Sequence, residues 1–249
     1  KFLNNRARWG GGAISLSGGD TKARIENNLF QQNRSGISGD PGYGAVLHNY
    51  MAEADMWNNT MTDNDGSNII QCGGLANPST GNKAVNGRCV LVNNLIAHNR
   101  SDAGNNGIAV EFSNLHSEAK FNTVVDNGGG FGCMFTAVEM IISNNILANH
   151  QNKSIDNACA AYTSGTNNLF WGNTSDPLKL DAFVIGDPKF VNPAGRDYHI
   201  TAASAAKDAG VTDPAVTRDL DGSPRFSSNP PDIGAFEFIN KLFLPFNQR

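Results

Sequence analysis

Ile25-Glu26-Asn27-Asn28-Leu29, Met56-Trp57-Asn58-Asn59-Thr60, Leu91-Val92-Asn93-Asn94-Leu95, Ala119-Lys120-Phe121-Asn122-Thr123, Ile142-Ser143-Asn144-Asn145-Ile146 and Gly165-Thr166-Asn167-Asn168-Leu169 are variants of one pentapeptide. Their aligned residues Asn28, Asn59, Asn94, Asn122, Asn145 and Asn168 lie 31, 35, 28, 23 and 23 positions apart. A further Asn follows five residues on, at Asn33, Asn64, Asn99, Asn127 and Asn173, with His150 in that place in the fifth copy. Self-similarity at this period marks a solenoid, whose units bury their apolar sides only by stacking on one another. The two spacings of 23 define the minimal coil, and longer ones require insertions, such as that from Gly73 to Gly87.

Inside each unit, β-branched residues alternate with polar ones for a few positions until Gly or Asn breaks the run. That pattern predicts short strands joined by turns. The regular Leu framework of a leucine-rich repeat is missing. Gly12-Ala13-Ile14, Gly44-Ala45-Val46, Gly107-Ile108-Ala109 and Gly132-Cys133-Met134 are expected to open strands with their Gly. Stacked strands sit about 4.8 Å apart, so an inward Asn repeated once per coil can hydrogen-bond its copies above and below. Asn also tolerates the left-handed backbone of a coil corner. Either role explains the Asn columns without any binding function.

Phe2-Leu3-Asn4-Asn5-Arg6 matches Phe30-Gln31-Gln32-Asn33-Arg34 one coil later, so the repeat is already under way at residue 1. Further coils, and any export signal, are expected upstream. The run from Phe2 to Ile14 and the Asn-Asn-Leu steps resemble the right-handed parallel β-helix repeat proteins of bacteria, in the pectin-lyase-like superfamily. Asp187-Pro188-Lys189-Phe190-Val191 through Tyr198-His199-Ile200-Thr201, then Asp219 to Arg225 and Asp232 to Glu237, resemble the last coil and cap of that superfamily. The resemblance implies an all-β, right-handed parallel β-helix of about seven to eight coils. It places coils over 1–175, the last coil and cap over 176–238, and a tail over 239–249. It implies no single activity, because the superfamily holds polysaccharide lyases, glycosidases and adhesins.

Composition narrows the setting. The net charge of −4 argues against a nucleic-acid partner, which would leave a basic stripe. No apolar run reaches the roughly 20 residues needed to span a bilayer, so no transmembrane segment is expected. Four cysteines allow three pairings. Cys72 and Cys89 bracket the insertion of the third coil, and Cys133 and Cys159 fall in successive coils, so both pairs are expected as disulfides. Bonds of that kind predict an oxidising, extracellular or cell-surface location.

The repeat register also stacks columns. Lys22, Glu53, Arg88, His116, Glu139 and Tyr162 form one, and Arg24, Asp55, Val90, Glu118, Ile141 and Ser164 another. Glu26, Trp57, Val92, Lys120 and Ser143 form a third. All alternate with apolar columns and should share the outer face of one sheet. One reading is a salt ladder that keeps the sheet soluble. The other is a groove for polysaccharide or cell-surface glycan, which the resemblance implies for such a face. A lyase there removes the proton beside a uronate carboxylate, and needs a cation to neutralise that carboxylate and a base. Arg88 is the candidate neutraliser, and His116 or Lys120 the candidate base. Glu53, Asp55 and Glu118 are candidate ligands for Ca²⁺. Lys22, Arg24, Trp57 and Glu139 are candidate substrate contacts. The alternative is a non-catalytic structural or adhesive surface protein, whose exposed coil edges stack head to tail into fibres.

Overall fold

The computed structural model describes residues 1–37, 40–73, 87–101, 107–113, 116–133, 139–176, 178, 180–225 and 230–240. The insertion within 74–86 and the tail over 241–249 lie outside them. The chain is a parallel β-helix whose coils contribute strands to four stacked parallel sheets in turn. Sheet one stacks Ile14–Ser17, Leu47–Tyr50, Ile70–Cys72, Val110–Phe112 and Phe131–Cys133. Sheet two stacks Lys22–Glu26, Glu53–Trp57, Arg88–Val92, His116–Lys120, Glu139–Ser143 and Thr163–Ser164. Sheet three is the longest, with eight strands from Phe2–Leu3 through Leu29–Gln31, Thr60–Thr62, Leu95–Ala97, Thr123–Val125, Ile146–Ala148 and Leu169–Trp171 to Val184–Ile185. Sheet four stacks Arg6–Ala7, Arg34–Ile37, Asp65–Gly66 and Arg100–Ser101.

Successive side chains on a strand point to opposite faces, so alternate residues of each strand enter the interior. Ile25, Met56, Leu91, Ala119 and Ile142 line up from sheet two. Phe30, Met61, Ile96, Val124, Leu147 and Phe170 line up from sheet three. All belong to one buried core.

The Asn-Asn step divides its labour. The first position is the corner, in left-handed backbone: Asn27, Asn58, Asn93, Asn144 and Asn167 have φ of 58°, 53°, 54°, 58° and 55°. The second is the ladder. Asn94 donates its backbone N–H and its amide to Asn122 Oδ1, at 2.9 and 3.0 Å, and Asn122 does the same to Asn145 Oδ1 at 2.9 Å each. A second ladder climbs through Asn5, Asn33, Asn64, Asn99 and Asn127.

His150 interrupts this second ladder. It is buried, and neither ring nitrogen has a well-formed hydrogen bond. Burial drives its pKa down to about 4, against a weaker opposing contact with the Asn127 backbone. The folded state therefore refuses a proton that the unfolded chain accepts below about pH 6.5. Stability is lost as pH falls through that window, by about 3 kcal/mol in all. His150→Asn is expected to stabilise the protein, and by more near pH 4.5 than near pH 7.5. Urea midpoints of both proteins at the two pH values check this; an equal difference at both would show that His150 is not the cause.

Of the expected strand-opening glycines, Gly44 and Gly107 stand where expected, and the first is displaced, to Gly11 from Gly12. Ile14 pairs with Leu47, and Gly11, Gly44 and Gly107 occupy the left-handed turn three residues before their strands, at φ of 67°, 61° and 67°. Gly132 lies inside its strand. Both expected disulfides are present, with Cα atoms 5.8 Å apart for Cys72–Cys89 and 5.1 Å for Cys133–Cys159.

Beyond Leu169–Trp171 the chain first extends the helix and then leaves it. Residues 181–185 add a last stretch of coil, through a bridge from Asp181 to Thr166 and the pairing of Val184 with Leu169. Leu178 and Leu180 pack against the interior there. The segment after it turns back and climbs the flank as a strap. Asn167 donates to Ala209 O, Asn144 to Val211 O and Asn93 to Arg218 O, at 2.8, 2.8 and 2.6 Å, while Lys120 pairs with Asp213. The strap thus meets four successive coils. Ile233, Ala235, Phe236, Tyr198 and Ile200 then cover the outer face of sheet three at Leu95, Ala97, Val125, Ile146, Ala148 and Leu169. Asp219 accepts from Ser223 N at 2.7 Å, so the Asp219-Leu220-Asp221-Gly222 stretch forms a hydrogen-bonded turn.

Candidate functional site

The charged columns stack on the outer face of sheet two. Lys22 pairs with Glu53 and Arg24 with Asp55 across the first step, Asp55 with Val90 across the second, and Arg88 with His116 and His116 with Glu139 across the third and fourth. Their strands alternate outward charge with inward Ala, Met or Cys, which sets every charged residue on the solvent side.

Within that grid each candidate residue already has a partner. Lys22 holds Glu53 at 3.0 Å, Arg88 holds Asp55 at 2.9 Å, and His116 Nδ1 meets Glu139 at 2.9 Å. Lys120 lies between Glu118 at 2.8 Å and Asp213 of the strap at 3.0 Å. Burial alone would lower the pKa of Lys120, but its hydrogen bonds to those two carboxylates outweigh burial and raise it. A base for proton abstraction needs the opposite shift. Arg24 donates to Glu26 at 2.7 Å and lies 4.8 Å over the Trp57 ring.

Trp57 was expected to be exposed for stacking on a sugar. It is half-buried, because it packs against Val90, Val92, Phe121 and the strap residue Val216. The strap thus closes the edge of the face nearest sheet three and leaves open the edge carrying Lys22, Glu53, Arg88, His116 and Glu139. Glu53, Asp55 and Glu118, the candidate Ca²⁺ ligands, each face a cation instead of one another. Among the described residues no three of His, Cys, Asp or Glu converge as a metal-holding group.

Sequence reasoning did not find the strap contacts. Arg225 is buried, pairs with Glu237 at 2.5 Å and donates to Asn93 Oδ1 at 2.7 Å. Its guanidinium lies 4.3 Å over Phe121. Phe121 takes the left-handed corner at φ 55°, a backbone that bulky residues avoid, and its ring is the landing for Arg225. Tyr198 donates to Asp126 at 2.5 Å and lies 2.6 Å from His98 Nε2. The legible signal for these contacts was the apolar outer face of sheet three. No helix among the described residues is long and apolar enough to cross a membrane. The chain matches no protein-family model and no curated protein.

Proposed function

We propose that the chain is a secreted or cell-surface β-helix module of the pectin-lyase-like kind that holds acidic polysaccharide without cleaving it. One observation carries the non-catalytic half of this reading: every candidate base and ligand on sheet two is held in an ion pair, and Lys120 is also an anchor for the strap. Two disulfides support the oxidising location. Long flat faces repeating every 4.8 Å or so suit a polymer with a short repeat.

The test is direct. Polygalacturonate, alginate and hyaluronan are incubated with the protein, with and without Ca²⁺, while ultraviolet absorbance of unsaturated product is followed and binding is measured separately. Binding with no rise in absorbance is expected. A rise that Arg88→Ala or Lys120→Ala abolishes would establish a lyase on sheet two. A second reading, a structural or adhesive rod that assembles end to end, draws support from the paired salt ladder. It predicts filaments whose mass rises with protein concentration, seen by sedimentation and microscopy.

A further inference from the structure

We infer that the glycan lies on the outer face of sheet four, not sheet two, and that it is a polymer bearing a carboxylate on each sugar. This rests on the glycan-holding reading above and names its place and ligand. Arg6, Arg34, Asp65 and Arg100 form one column on four successive coils, joined by parallel register. The three arginines are exposed, while Ser35 and Ser101 beside them point inward and hydrogen-bond Gly42 O and Gly107 O. Three coil steps make the column about 14 Å long. Arg8 stands beside it, exposed, with its guanidinium 4.9 Å over the ring of Trp9, which is 62% exposed.

This column is wired unlike sheet two. There Lys22, Arg24, Arg88 and Lys120 each hold a carboxylate at 3.0 Å or less. Here the pair Arg34–Asp65 is long, at 3.7 Å, and no ion pair engages Arg6, Arg8 or Arg100 among the described residues. Four arginines thus stand against Asp65, and Asp126 in the cleft beyond Arg100, in a chain whose net charge is −4. Arg6 sits directly over Arg34, and like charges on neighbouring strands destabilise a sheet. Folding alone gives no reason to stack them; an anion shared between them does.

The chemistry selects a carboxylate polymer. Guanidinium forks grip carboxylates through two parallel hydrogen bonds. One coil step is close to the length of one sugar unit, so carboxylates of the polymer can meet Arg6, Arg34 and Arg100, while the one between the last two turns away from Asp65. Below Arg100 the face opens into a polar cleft of about 510 Å³, lined by His98, Ser101, Asp126, Gly128 and Gln151, which suits sugar hydroxyls. Trp9 at the upper end offers a ring face to a pyranose. The acidity of the chain, with a net charge of −4, disfavours a nucleic acid.

The full chain is titrated calorimetrically with polygalacturonate, its methyl-esterified form and duplex DNA, at low and high salt. Polygalacturonate is expected to bind, more weakly as salt rises, and the esterified form not to bind. Arg34→Ala/Arg100→Ala is expected to weaken binding about tenfold or more, while Lys22→Ala/Arg88→Ala leaves it unchanged. Thermal unfolding shows whether each variant is folded; if the stripe variant is not, Arg6→Gln/Arg100→Gln replaces it. Unchanged binding by the stripe variant, with loss in the sheet-two variant, overturns the placement and keeps the glycan reading. DNA binding as tight as polygalacturonate binding overturns the ligand. No binding of polygalacturonate, alginate or hyaluronan by the wild type overturns both.

Discussion

Asn122→Ala is expected to lower stability by about 4–6 kcal/mol, a large part of what a domain of this kind possesses. Asn122 Oδ1 accepts from Asn94 N and Asn94 Nδ2 at 2.9 and 3.0 Å, and its amide donates to Leu91 O and Asn145 Oδ1 at 2.9 Å each. Truncation leaves the Asn94 N–H and one Asn94 amide hydrogen unpaired in the interior, and takes from the Leu91 carbonyl its second donor. Each such orphan costs about 1–3 kcal/mol, because no water replaces the lost partner. The control is Asn27→Gly, at an exposed corner with φ 58°. Glycine adopts that backbone freely, so a change below about 1 kcal/mol is expected. Urea unfolding followed by circular dichroism compares the two. Equal costs would mean that the buried amide column is not what holds the coils in register.

Arg225→Met is the second large effect, with a loss of about 3–5 kcal/mol expected from breaking a buried pair on one side only. The guanidinium donates to Glu237 at 2.5 Å, Asn93 Oδ1 at 2.7 Å and Gly234 O at 2.8 Å. Without it, Glu237 is left among Asp232 and apolar groups. Burial already raises Glu237 to about 7, with Asp232 adding to the rise and Arg225 opposing it. The sign follows: folded Glu237 keeps a proton that the unfolded chain releases above about pH 4.5, so docking of the strap weakens as pH rises through about 7. Loss of Arg225 sharpens that dependence. The variant should bind a hydrophobic dye as Leu95, Val125 and Ile146 become uncovered, and protease should cut first between 205 and 238. Arg225→Met/Glu237→Met, which removes both charges, should recover part of the loss. A variant that keeps wild-type protease resistance would show that the buried arginine does not clamp the strap.

The coil, its ladders and its register were legible because Asn-Asn is a rare signature and its spacing alone fixes which residues stack. Lys22 over Glu53 and Arg88 over His116 followed directly. In the first coil the glycine register slipped by one because Gly10-Gly11-Gly12 offers three candidates, and only the left-handed backbone at Gly11 separates them. The strap was not read, although a cue was present. Leu95-Ile96-Ala97, Thr123-Val124-Val125 and Ile146-Leu147-Ala148 are almost wholly apolar where a half-exposed strand should alternate, and a sheet apolar on both faces must be covered. What covers it lies tens of residues away, so local pattern gave no address. The arginine column escaped for a different reason. Arg6, Arg34 and Arg100 each follow a ladder residue, and columns were stacked only around the Ile25 position.

The strap also acts as a ruler. Ala209, Val211, Asp213 and Arg218 are spaced so that each meets the next coil up, at the corners Asn167 and Asn144, at Lys120 beside the Phe121 corner, and at the corner Asn93. Inserting or deleting one coil between Asn93 and Asn167 would put every later contact out of step by one storey. Coils on the other side of Asn93 carry no such constraint from those four contacts. Because Arg196 also pairs with Asp63, changes in the number of repeats during evolution are expected to accumulate before residue 63, and the span from there to Asn167 to keep its count.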